Sequence, residues 1–398
     1  MPASDRLKPM LRRALLLLLP FALLARADSE KKDYEDDTNP RSPGTPLEVV
    51  FTPFYCSRCA EEGKIDQKKS IEFMRMPMAD FAKSIGLQEG SYIAIESPHF
   101  RIFSTLRESK VKLKDSPFVR ADLERLKQIF PKFSIGRDGA ILDPHERAHL
   151  YQIRVERLYA HFSALTDNKK PWLGMESPYE LFLFDDYAEH HALVDKFIGR
   201  ANDKAGVQHH DREKPGFMAF TTAESQVARD KGKGDVIFAN HVFHNVAHNL
   251  VDGYDNYYRE TWGWLEEGLG HYYERRENPK YNTFCWSEGK PPSDFLKENW
   301  EPVIYGLVRR GKDDPLSQWC EKLQPGQLSG TQNGMSWSIV KWMIETEPIR
   351  FTKMLDKLND FEAKATCEQS IEFAFGVSTT VLHQRWREYV LKAYAPTK

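Results

Sequence analysis

The chain reads as an α+β protein with a helical C-terminal lobe, on three observations. Short apolar strand-like runs alternate with helix-length amphipathic segments as far as His248. Beyond that point the runs Trp337 to Ile344, Phe351 to Leu358, Gln369 to Phe375 and Leu382 to Val390 have helical character only. With 398 residues, 41% hydrophobic and 12% aromatic, the chain can bury one large core or two medium ones.

The elements follow in order. Arg6, Lys8, Arg12 and Arg13 precede the apolar run ALLLLLPFALL, and Ala25-Arg26-Ala27 follows as an A-x-A pattern, so residues 1–27 read as a secretory signal peptide and the chain as exported. The apolar run is far shorter than the roughly 20 residues of a spanning helix. Residues 28–46, charged and rich in Pro, Ser and Gly, read as a disordered linker. An α+β domain is expected over 47–276 and the helical lobe over 277–398. LEVVFTPF is strand-like, and Tyr92 to Phe103 carries two apolar stretches broken at Ser97-Pro98, as in two strands joined by a turn. Leu150, Ile153, Leu158, Phe162 and Leu165 recur at helical intervals after Asp143 and Pro144, a cap followed by a first-turn proline. Glu180 to Phe184 and Phe217 to Phe220 read as strands, a helix is expected through Phe197, and Asp235-Val-Ile-Phe-Ala reads as a further strand.

A net charge of −2 gives no basic excess for nucleic acid or an anionic membrane. An exported chain can form disulfides, and of the five cysteines Cys56 and Cys59 form a C-x-x-C with no second C-x-x-C to complete a zinc ribbon. A local structural disulfide is the simplest reading.

The chemistry concentrates in HNVAHNLVDGYDNYYRETWGWLEEGLGHYY, from His244 to Tyr273. His244 and His248 stand at i and i+4, so one helix face turns both imidazoles toward a single ion. After eighteen intervening residues, Trp264-Leu-Glu-Glu-Gly268 supplies Glu267 as a third ligand on a second helix. H-x-x-x-H-x18-E with W-L-x-E-G is the gluzincin spacing. Together with S-P-H-F at Ser97, PGFMAF before the motif helix and F-G-x-S…W-x-x-Y-V from Phe375 to Val390, it resembles the peptidase MA-like families of that zinc-metallopeptidase clan.

The resemblance implies a thermolysin-like arrangement, with a sheet whose edge strand lines a cleft, a motif helix, a ligand helix and a closing helical lobe. Carried over by position, His244, His248 and Glu267 are the ligands of a Zn2+ ion. The departure is Asn245, which stands where those enzymes carry the glutamate that deprotonates zinc-bound water. An amide has no useful basicity near neutral pH, and loss of a general base costs about 10²–10⁴-fold in rate.

Among substitutes, Glu266 should face away from the ion, Glu260 has no assignable direction, and His271 and His241 each lie one turn from a ligand as orienters, ligands or proton carriers. Tyr272 and Tyr273 are candidates for an oxyanion-stabilising hydroxyl, against the alternative of core tyrosines with bonded tips. His190-His191 and His209-His210 read as solvated surface pairs, and His99 as structural. The expectation is an exported metallopeptidase-like protein, impaired or inactive as a peptidase, that binds a peptide or polymer. The alternatives are an active zinc hydrolase with another base and a metal-free homologue.

Overall fold

A computed structural model of the chain describes residues 38–61, 71–199, 206–210, 218–225, 234–257, 261–284, 288, 291–358, 360 and 364–396. The signal-peptide reading, Glu260 and Cys285 fall outside them.

The strands are β1 (Tyr55–Cys56), β2 (Glu72–Phe73), β3 (Met76–Pro77), β4 (Ile93–Glu96), β5 (Phe100–Ser104), β6 (Ser109–Lys112), β7 (Gly139–Leu142), β8 (Tyr179–Phe184), β9 (Gly206–His210) and β10 (Met218–Ala223). The helices are α1 (Ser57–Glu61), α2 (Met78–Ser84), α3 (Val119–Ile129), α4 (Pro144–Thr166), α5 (Tyr187–Leu193), α6 (Asp235–Tyr254), α7 (Gly263–Glu277), α8 (Glu301–Arg309), α9 (Gly330–Thr346), α10 (Pro348–Leu358), α11 (Cys367–Phe375) and α12 (Thr379–Ala393). The mixed α+β class is as expected, and the four C-terminal runs lie in α9 to α12.

Six strands form the main sheet in the order β1-β4-β5-β8-β10-β9. β5, β8 and β10 run parallel, while β9 closes one end antiparallel to β10. Every residue of β8 is buried, as a central strand covered on both faces requires. Tyr179, Leu181 and Leu183 enter the principal core, and Phe182 and Phe184 join Phe73, Phe81 and Phe103 in a smaller core on the opposite face. The principal core continues without a break from the sheet through α6 and α7 into Trp300, Trp319, Trp337 and Trp386, so the two expected regions share one interior.

α4 begins as its sequence dictates. The Asp143 carboxylate accepts from Glu146 N, Glu146 caps the Asp143 N–H in return, and Pro144 occupies the first turn.

Several expectations are corrected. Asp235-Val-Ile-Phe-Ala is the first turn of α6 and not a strand, because a run of five residues is too short for its pattern to separate a period of 2 from one of 3.6. LEVVFTPF contributes no strand; its last residue, Phe54, donates its N–H to the Glu96 carbonyl at 2.7 Å, and β1 starts at Tyr55. Residues 28–37 of the linker reading lie outside the described residues; over 38–46 a Thr38–Pro46 bridge closes a turn and Arg41 pairs with Asp167 at 3.1 Å. Cys56 and Cys59 are both free thiols and not a disulfide, as are Cys320 and Cys367. His190 is fully buried against the Thr221 hydroxyl at 2.8 Å, so that histidine is not a solvated one.

Candidate metal centre

The motif helix is fixed at its first residue. Asp235 is buried and receives Arg147 Nε at 3.2 Å, Arg154 Nη1 at 3.0 Å and the Tyr151 hydroxyl at 2.9 Å, all from α4. Such a network satisfies a buried carboxylate on several sides and sets where α6 starts. α7 is seated by small residues. A Cβ on Gly268 would lie 2.6 Å from Val340 Cγ2 and 2.9 Å from the Ser336 carbonyl oxygen, so only glycine lets α7 approach α9 this closely.

This packing brings His244, His248 and Glu267 together, as the spacing predicts. Both imidazoles turn Nε2 toward one oxygen, Glu267 Oε2, at 3.5 Å from His244 and 3.7 Å from His248. Tetrahedral zinc with bonds of about 2.0–2.2 Å to N and O separates neighbouring ligand atoms by about 3.4 Å.

The far nitrogens are backed by carboxylates. His244 Nδ1 lies 3.6 Å from Glu274 Oε2, and His248 Nδ1 lies 3.3 Å from Glu266 Oε1. The 3.3 Å contact orients the His248 ring so that Nε2 presents its lone pair, whereas the longer His244–Glu274 contact acts through charge: although burial opposes it, the Glu274 carboxylate raises the His244 pKa. Glu266 therefore lies on the side of His248 away from the shared oxygen, as its helical offset predicts.

His248 Nε2 and both Glu267 oxygens are buried, and among the described residues none has a hydrogen-bond partner. Burial holds the His248 imidazole well below its ordinary pKa, with His244 and His271 adding to the effect, so it is neutral, the form that ligates. Burial and the neighbouring Glu288 carboxylate push the Glu267 carboxyl well above its usual range. A divalent cation at Nε2, Nε2 and Oε2 would stabilise the ionised form and complete all three groups. The residues present thus fit a metal ion.

His271 is not in that trio's first contact. Its Nδ1 donates to Glu274 at 2.6 Å and its Nε2 to Glu288 at 3.1 Å. Although burial opposes it, the Glu288 and Glu274 carboxylates raise its pKa to about 9. Of the roles open to it in the sequence, the geometry gives that of an orienter, since His271 holds the Glu274 that backs His244. Two overlapping trios, His244 with His271 and Glu274, and Glu267 with His271 and Glu288, lie in the same buried cluster.

Asn245 turns back onto its own helix, where its amide nitrogen donates to the His241 carbonyl at 2.8 Å. Its Nδ2 also lies 3.4 Å from His241 Nδ1, which places His241 beside Asn245 and outside the trios that could hold a metal ion. Tyr272 is buried beneath the Arg276 guanidinium and against Tyr273, and the Tyr273 hydroxyl bonds His161 Nδ1 at 3.0 Å. The Tyr273 hydroxyl is thus engaged by His161. His99 is structural, with Nδ1 2.6 Å from Glu156 and its ring stacked on Tyr159.

Two members of the cluster were missed by sequence reasoning. Glu274 falls at i+7 from Glu267 and i+3 from His271, on one helical face, so the spacing carried the signal. Glu288 arrives from the segment after α7, where no period points to it. Neither a scan of protein-family models nor a search of curated proteins gives a match to the chain.

Proposed function

We propose that this is an exported protein of gluzincin-like fold that holds Zn2+ through His244, His248 and Glu267 and is impaired or inactive as a peptidase. Its role in this reading is to bind a peptide or polymer strand. The observation that carries it is the convergence of both Nε2 atoms on Glu267 Oε2, at 3.5 and 3.7 Å, with a carboxylate behind each ring. Two imidazoles and a carboxylate form a donor set suited to zinc with one position left open. The bound ion would act as a Lewis acid on a carbonyl or other polar group of the ligand.

The loss of peptidase activity rests on Asn245, whose amide is engaged by its own helix and has no basic form. His271 does not replace it, because a histidine with a pKa near 9 between two carboxylates holds its proton at neutral pH. Support for the fold comes from the mixed sheet ending in the antiparallel β9, followed by α6, α7 and the helical region. An extended chain would add to such an edge through its main-chain groups. Export rests on the N-terminal pattern of residues 1–27.

The test compares the wild-type chain with Asn245→Glu on a broad peptide library. Chelator-sensitive cleavage is expected in the glutamate variant only. Cleavage by the wild type that is blocked by chelator and abolished by His244→Ala would establish the working hydrolase instead.

A further inference from the structure

A second cluster lies at the other edge of the sheet, built from residues that the metal centre does not use. Cys56 ends β1, Cys59 sits in α1, and His145 and His149 occupy the first two turns of α4 at i and i+4. All four are buried, with exposures of 0, 3, 7 and 0%. Their ligand atoms lie within 4.8 Å of one another. Cys56 Sγ is 3.1 Å from His145 Nε2 and 3.3 Å from His149 Nε2; Cys59 Sγ is 3.3 and 3.7 Å from the same two atoms.

We infer that Cys56, Cys59, His145 and His149 form a structural Zn2+ site. In a tetrahedron with Zn–S of about 2.3 Å and Zn–N of about 2.0–2.1 Å, sulfur and nitrogen stand about 3.5–3.6 Å apart, within the observed span of 3.1 to 3.7 Å. Four protein ligands close the coordination shell, so the site has no position for substrate and its role is to join segments. Binding Zn2+ releases the two thiol protons to solvent and leaves two thiolates and two neutral imidazoles around the dication, a set with no net charge that is suited to burial. The Phe130 ring stands edge-on to both imidazoles, at 4.9 and 5.1 Å, and covers the site with apolar surface.

The segments joined are distant in sequence, the start of the main sheet and the start of α4. Arg147, between the two histidines, donates to Asp235 at the first residue of α6. The clamp therefore also steadies the helix that presents His244 and His248, although its existence does not depend on that site.

Cobalt(II) distinguishes the two sites, because only a sulfur ligand gives a thiolate-to-cobalt charge-transfer band. The full chain, purified under reducing conditions and loaded with Co2+, should show this band, and the His244→Ala chain should keep it. Cys59→Ser should weaken the band and His149→Cys should strengthen it while retaining bound metal. His149→Cys serves where the serine variant does not fold, since three cysteines and one histidine are also a competent zinc set. Absence of the band in the wild type, or its persistence undiminished in folded Cys59→Ser, would overturn the inference. So would an intact-mass measurement that finds Cys56 and Cys59 joined as a disulfide in the freshly isolated, unreduced protein.

Discussion

Gly270 stands so close to His248 that a Cβ added to it would lie 2.6 Å from the imidazole Nε2, and 2.9 Å from His244 Cε1. One hydrogen in place of a methyl group is what lets α7 carry Glu267 up against both histidines. Gly270→Ala should therefore displace the rings, cost about 1–3 kcal/mol of stability and abolish stoichiometric metal at this centre. Gly268→Ala is the control. Its Cβ would meet Val340 and Ser336 and not the histidines, so it should destabilise the fold while leaving more of the metal bound. Equal metal loss in the two variants would contradict the assignment.

Asp235 supports the site from a distance. Removing its carboxylate breaks two buried ion pairs and leaves Arg147 to Glu224 at 2.7 Å and Arg154 to Asp122 at 3.9 Å; breaking a buried pair typically costs about 3–5 kcal/mol. Urea unfolding of Asp235→Ala should show a loss of that order, and a change under about 1 kcal/mol would mean that the network does not anchor α6.

His190 predicts an acid limb of stability. Burial lowers its pKa to about 4 from an ordinary 6.5, so the folded state keeps it neutral where the unfolded chain takes a proton. Its stabilising contribution is complete above pH 6.5 and is lost as pH falls toward 4, by roughly 3 kcal/mol in all. Comparing unfolding free energies of wild type and His190→Gln across that window should give a gap that closes on acidification. A constant gap would exclude the histidine as its source.

The site was legible where local geometry alone decides it. The i, i+4 histidines and the spacing to Glu267 required only a helix, a return and a second helix, and α6 and α7 supply them. Asp143, Pro144 and the 3.6-residue period likewise gave α4 almost to the residue. The Asp235 segment failed because its apolar run is too short for a period of 2 or of 3.6 to be visible. C-x-x-C was read by itself as a disulfide; its partners His145 and His149 have the same i, i+4 signature as the motif pair, but only the packing of α4 across β1 unites the halves. Glu288 depends on tertiary placement alone.

The most direct test is metal analysis of the purified full chain alongside His248→Ala, both checked for native folding. The wild type should retain zinc through gel filtration, and the variant should lose the share held by His244, His248 and Glu267 while keeping the thiolate-bound share. A folded His248→Ala chain with as much zinc as the wild type would contradict the account.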